Sequence, residues 1–174
     1  MAEKNNVVLI GMPGSGKSTL GIVLAKIMTK DFIDADIVIQ NQCDKTLQKI
    51  IDACGPEGFI EVENEILSKI DAENSVIATG GSAVYSDEAM KHLAEIGTVV
   101  YLKISYDQLV HRLSDLQERG VVLKGGIGMS LKDLYDERLP LYEQYAGITV
   151  DVNDLSITAA ARKVADALAH EGVK

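Results

Sequence analysis

Gly11-Met12-Pro13-Gly14-Ser15-Gly16-Lys17-Ser18-Thr19 follows the apolar run Val7-Val8-Leu9-Ile10 and opens onto the amphipathic stretch Leu20 to Met28. That order reads as strand, glycine-rich turn, helix, and the spacing Gly-x-x-x-x-Gly-Lys-Ser is that of the phosphate-binding P-loop. Gly11, Gly14 and Gly16 let the backbone take angles that a Cβ would resist, so successive N–H groups can point at one anion. The helix that follows adds its positive N-terminal end. Lys17 would reach the β- and γ-phosphates and the hydroxyl of Ser18 would bind Mg²⁺. Ser15 and Thr19 belong to the same candidate nucleotide site. A tight turn without a ligand would leave Lys17 unexplained. The stretch therefore predicts a nucleoside triphosphate site.

The rest of the chain sets bounds on what surrounds that loop. Its 174 residues suffice for one domain with a proper core, so residues 1–174 are read as a single unit. A hydrophobic content of 47% beside 25% charged residues fits a soluble globular protein. The formal net charge of -9 argues against a broad nucleic-acid surface while leaving room for a local basic pocket. Cys43 and Cys54 lack CxxC spacing and nearby histidine ligands, so reduced thiols are expected rather than a disulfide or metal site. With no secretory signal or membrane span legible, the expected address is the cytoplasm and the expected state a monomer.

Apolar runs recur at Val7–Ile10, Phe32-Ile33, Val76-Ile77-Ala78, Thr98–Leu102 and Ile148–Val152. Short and mostly β-branched, they predict strands buried on both faces of a parallel sheet, with helices between them. Pro56 is placed for a first helical turn, with Phe59, Val62, Ile66 and Ile70 as one apolar stripe. Ser86 and Ser156 are candidate N-caps, and Ser105 to Gln108 reads as a capping box. Pro140 is expected to kink or restart its helix. His92, His111 and His170 read as surface residues. Residues 119–130 hold Gly125, Gly126 and Gly128 among valines and basic residues, which favours a mobile lid over an inert loop.

Three further groups carry chemistry. Asp34 and Asp36 lie two apart at the end of a strand, so both could aim at one site; a helix cap is the equal alternative. Beside a P-loop, one could hold the water shell of Mg²⁺ while the other accepts a substrate proton. Gly80-Gly81-Ser82 follows another strand, where ligands gather in open parallel sheets. Those glycines permit close approach to a ligand, or serve only a tight turn. Arg138 could contact an anionic ligand, or pair with Glu137 or Glu143.

Over nearly its whole length the chain resembles the shikimate kinases. The resemblance rests on the P-loop, the Asp34-x-Asp36 pair, the helix with Gly55, Phe59 and Glu63, and Thr79-Gly80-Gly81. It continues through Val99-Val100-Tyr101-Leu102, Arg119 and Arg138-x-Pro140-Leu141-Tyr142. It implies an α/β fold with a five-stranded parallel sheet flanked by helices and a lid, and transfer of a phosphoryl group from MgATP to the 3-hydroxyl of shikimate. By that resemblance Asp36 is the carboxylate on the substrate hydroxyl and Asp34 acts through the metal's water shell. Lys17 and Arg119 contact the transferring phosphate, Arg112 lies by the adenine with the Asp154 region, and Arg138 meets the substrate carboxylate.

The sequence also departs from that pattern. Ile60 stands where the family has an arginine that clamps the substrate carboxylate, Ser82 replaces the third glycine of Gly-Gly-Gly, and Arg119-Gly120-Val121-Val122 replaces Arg-Pro-Leu-Leu. Losing the arginine removes a fork that binds carboxylates bidentately. On a helical wheel Ile60 lies beside Leu67, facing either the pocket or neighbouring packing, while Glu63, that arginine's usual partner, remains. Shikimate and a related polyhydroxylated small molecule with a weaker or no carboxylate both stay open as acceptors. A nucleotide-binding module without turnover and a nucleoside monophosphate kinase are the rival classes. The second would want several arginines in the middle of the chain.

Overall fold

The computed structural model describes residues 5–118 and 130–173. Five parallel strands, β1 (Asn6–Ile10), β2 (Asp31–Asp34), β3 (Ser75–Ala78), β4 (Gly97–Lys103) and β5 (Ile148–Asp151), form one sheet in the order β2-β3-β1-β4-β5. Val7 to Ile10 are wholly buried because β1 is the central strand, paired to β3 and β4. The edge strands differ from the expectation of burial on both faces: Asp31 in β2 and Thr149 and Asp151 in β5 are exposed. An edge strand has a neighbour on one side only, so part of its surface meets water.

The chain leaves β1 toward β2 and leaves the adjacent β4 toward β5, so a crevice opens between the carboxyl ends of β1 and β4, the switch point at which α/β sheets bind ligands. The P-loop fills that position. Helix α1 (Lys17–Met28) starts at once, with Gly16 as its N-cap in the left-handed region at φ 93°. Gly14 is also left-handed, at φ 83°, and a Cβ built there would lie 2.6 Å from Leu113 Cδ2. The loop is thus pressed against helix α5 (Tyr106–Glu118).

Helices α2 (Ala35–Cys43) and α3 (Leu47–Leu67) form the wall beside β2. Ile39, Ile50, Phe59 and Ile66 make a small core of their own, with Val62 at its edge. The expected stripe is split, since Ile70 lies beyond α3 and joins the main core. Gly55 breaks α3 at φ 74° and ψ 173°, and Pro56 opens its second part.

The remaining helices are α4 (Asp87–Ile96), α6 (Leu131–Tyr145) and α7 (Ile157–His170). Ser156 caps α7 as expected, accepting from Ala159 N. Ser86 makes no side-chain cap on α4. Asn64 Oδ1, reaching over from α3, accepts from Ala89 N at 3.1 Å in its place. Ser105 Oγ accepts from Gln108 N, but the amide of Gln108 turns to Asp154 Oδ1 at 2.8 Å, so only half of that capping box forms. Helix α6 runs through Pro140 instead of restarting, held past the proline by buried Tyr142, which stacks on Tyr101 at 5.2 Å. His92 is half-buried with Nε2 2.7 Å from Ile70 O, whereas His111 and His170 are exposed.

Arg119 and the expected lid lie outside the described residues, except Ser130, which caps α6 in a capping box with Asp133. Among the described residues, Cys43 and Cys54 are free thiols and no helix is long and apolar enough to cross a membrane.

Candidate active site

A cavity of about 820 Å³ lies at the carboxyl end of the sheet. Lys17, Ser18 and Thr19 line it from the P-loop side, Asp36 from α2, Ile60 from α3, Gly80, Gly81 and Ser82 from the turn after β3, and Arg138 from α6. Of the two orientations open to Ile60, the fold takes the first: its half-buried side chain faces the cavity.

Lys17 is buried, and its Nζ donates to Gly11 O at 2.7 Å and to Met12 O at 2.9 Å. Burial disfavours its charge and pulls the ammonium down to about 8, against the pull of Asp36, Asp34 and Glu63. Asp34 forms the cap and has a second oxygen left for the P-loop. Its Oδ1 accepts from Asp36 N as the cap of α2, and its Oδ2 accepts from Ser18 Oγ at 2.8 Å. A hydroxyl and a carboxylate side by side are the hard oxygen donors that Mg²⁺ favours, so the residues present fit that ion. Asp36, in the first turn of α2, has its carboxyl raised by burial and then by Asp34, with Lys17 opposing.

The glycines after β3 make room for protein groups. A Cβ built on Gly80 would lie 2.7 Å from Glu63 Oε1 and 3.2 Å from Asp36 Oδ1; one on Gly81 would lie 2.8 Å from Arg138 Nη1. Glu63 itself is fully buried, and Ser82 Oγ donates to its Oε2 at 2.5 Å. Burial pushes the Glu63 carboxyl up to about 7, opposed by the Ser82 hydrogen bond. Arg138 pairs with neither candidate acid. Its Nε donates to Tyr85 OH at 3.2 Å and its guanidinium lies 5.2 Å from the Tyr85 ring centre. Tyr85 in turn donates to Glu137, while Lys103 takes Glu143.

Arg112 and Asp154 stand apart from this cavity, on the α5 side of the P-loop. Arg112 donates to Ser15 O at 3.1 Å and Val152 O at 3.2 Å, tying the loop to the end of β5. Asp154 is exposed and holds Gln108. Ser15 is buried, and its Oγ has no hydrogen-bond partner among the described residues.

Comparison with known proteins follows the same outline. The family model described as shikimate kinase matches residues 13–169. The chain belongs to the shikimate kinase family. A shikimate kinase of Francisella tularensis subsp. holarctica is 37% identical over 99% of both chains, and one of Vibrio parahaemolyticus is 34% identical over 94% of this chain and 96% of the other. The structure of shikimate kinase from Acinetobacter baumannii in complex with shikimate superposes with a TM-score of 0.85 at 28% identity, covering 99% of this chain and 97% of that one. As a member of the shikimate kinase family the chain is an ATP-using phosphotransferase with an alcohol acceptor, and its five-stranded sheet is that of the family.

Several residues that shape the site escaped the sequence reading. Leu47, Gln48, Ile51 and Asp52 line the cavity from the first part of α3. Tyr85 steadies Arg138, and Tyr142 donates to Gly81 O at 2.7 Å, pinning the glycine turn to α6. Only Tyr142 carried a signal, as part of the Arg138-x-Pro-Leu-Tyr run.

Proposed function

We propose that this chain, acting throughout residues 1–174 as one kinase domain, phosphorylates the 3-hydroxyl of shikimate with ATP and Mg²⁺. The observation that carries the reading is the meeting of Lys17, Ser18, Asp36 and Arg138 around one cavity, in a chain of this family. ATP supplies the phosphoryl group, and Mg²⁺ neutralises part of its charge.

The chain's own residues do the positioning. The P-loop N–H groups and Lys17 hold the phosphates, with Lys17 already pinned between two carbonyls. Ser18 and Asp34 would hold the metal and its water. Arg138 draws the acceptor's carboxylate to the α6 side of the cavity, and Asp36 accepts the proton leaving the hydroxyl. A carboxyl raised above its ordinary value is the better proton acceptor, provided that it remains ionised at the working pH. Arg119 would add charge at the transferring phosphate, and Arg112 with Asp154 would border the adenine. The same reading places the enzyme in the cytoplasm as a monomer.

A second acceptor class is favoured by one observation. Ile60 puts apolar surface where a carboxylate clamp would need charge, which suits a polyol lacking that carboxylate. Asp36→Asn tests the reading common to both. It keeps the shape and removes the proton acceptor, so turnover should fall about 10²–10⁴-fold with ATP binding little changed. A collapse of ATP affinity with turnover largely kept would instead put Asp36 on the metal and reverse the two aspartate roles.

A further inference from the structure

Glu63 is a buried carboxyl to which the proposed transfer gives no step. Its Oε2 takes the Ser82 hydroxyl, and its Oε1 has no hydrogen-bond partner among the described residues. The same oxygen crowds Gly80, whose α-carbon also faces Asp36 Oδ1. Four groups act on it from four elements: Asp36 on α2, Lys17 on α1, Arg138 on α6, and the Ser82 hydroxyl after β3. Two carboxylates behind one glycine, one of them with a bare oxygen, are costly to charge together. Burial and Asp36 favour the neutral acid, while Ser82, Arg138 and Lys17 favour the anion. Ile60, one turn earlier on α3, offers no cation to tip that balance.

We propose that Glu63, held by Ser82 behind Gly80, is a positioning residue that sets the acceptor preference through its own protonation. As a neutral acid it leaves the charge of Arg138 to an anionic acceptor. As a carboxylate it opposes that anion and draws on the same arginine. The inference rests on reading the acceptor as a carboxylate such as shikimate.

The test is KM and kcat for shikimate at saturating ATP between about pH 5.5 and 8.5, for the natural protein, Glu63→Gln and Ser82→Ala. With the carboxyl placed at about 7, the natural KM should rise about tenfold across neutrality, the scale of one unit of pKa coupling, with kcat changing far less. Glu63→Gln should give a flat KM at the low value. Ser82→Ala removes the hydrogen bond that favours the anion, so the inflection should move to higher pH. KM for ATP, followed in parallel, should be the same in all three. A natural KM that is flat, or a rise that persists in Glu63→Gln, overturns the inference. If Glu63→Gln does not fold, an unmoved inflection in Ser82→Ala overturns it equally. Absence of shikimate turnover refutes the acceptor reading and this inference with it, whereas turnover with a flat KM refutes the inference alone.

Discussion

Replacing Ile60 by arginine should convert a one-arginine acceptor site into a two-arginine one. Ile60 lines the cavity, and among the described residues lining it Arg138 is the arginine present. Positions 60 and 63 lie three apart on α3, on one helix face. A guanidinium at 60 could therefore answer Glu63 with one edge and the acceptor's carboxylate with the other. A hydrogen bond to a charged group is worth about 1.5–3 kcal/mol. That corresponds to roughly a 10- to 150-fold tighter hold on the carboxylate. The assay is steady-state kinetics on the natural protein and Ile60→Arg, with shikimate and an uncharged polyol analogue. KM for shikimate should fall by that factor, KM for the polyol should not improve, and the pH dependence of KM should flatten as Glu63 gains a counter-ion. An unchanged KM in Ile60→Arg, beside efficient turnover by the natural protein, refutes the reasoning. Another cation, such as Arg119 or Lys124, would then already complete the site.

Lys17→Ala should lower turnover by at least roughly 10²-fold, the scale of a single electrostatic contact to a transferring phosphate, and near-normal turnover would remove the P-loop from the reaction. With that ammonium held at about 8, kcat/KM for ATP in the natural protein should also decline above about that pH. In Gly80→Ala the new methyl would press on Glu63 Oε1 at 2.7 Å and Asp36 Oδ1 at 3.2 Å, so kcat should fall with KM for ATP unaffected. Wild-type kcat there would show that these carboxyl groups yield without cost. Thermal melts give a separate reading of Glu63. Its folded carboxyl sits at about 7 against an ordinary 4.5, so the folded state binds more protons between those values. Its contribution is fully present below about pH 4.5 and lost as pH rises through about 7, on the order of 3 kcal/mol. Glu63→Gln should lose less stability between about pH 5 and 8 than the natural protein, and equal losses would place the charge penalty elsewhere.

The P-loop and the five strands were legible because their signals are local. Gly14 and Gly16 announce left-handed turns, and an all-apolar run such as Val7–Ile10 between a polar start and a glycine-rich turn fits a strand buried on both faces. Pairings across the chain left no such mark. Asn64 caps α4 from 25 residues away, in place of the nearer Ser86, because α3 and α4 lie side by side. Arg138 could not be assigned from Glu137 and Glu143, since its neighbour is Tyr85, 53 residues earlier. The wheel left Ile60 between two faces. The packing of the second part of α3 decided the matter: Phe59 and Ile66 go into the small core, and Ile60 lines the cavity.

Asp34 shows why a capping role does not exclude a metal role. A carboxylate has two oxygens, and here each has a separate partner. One closes the end of β2 onto α2 through Asp36 N, and the other meets Ser18 at the start of α1. The cap also fixes where Asp36 stands, within the first turn of α2, where the positive end of a helix favours negative charge. Burial and Asp34 push the Asp36 carboxyl toward its neutral form, while the helix end and Lys17 draw it back toward the anion. A proton acceptor is most useful when its affinity lies near the working pH, below which it is occupied and far above which it has nothing to spare. Standing in the first turn of a capped helix, beside a buried lysine, the Asp36 carboxyl gains proton affinity while the helix end and Lys17 still favour its charge.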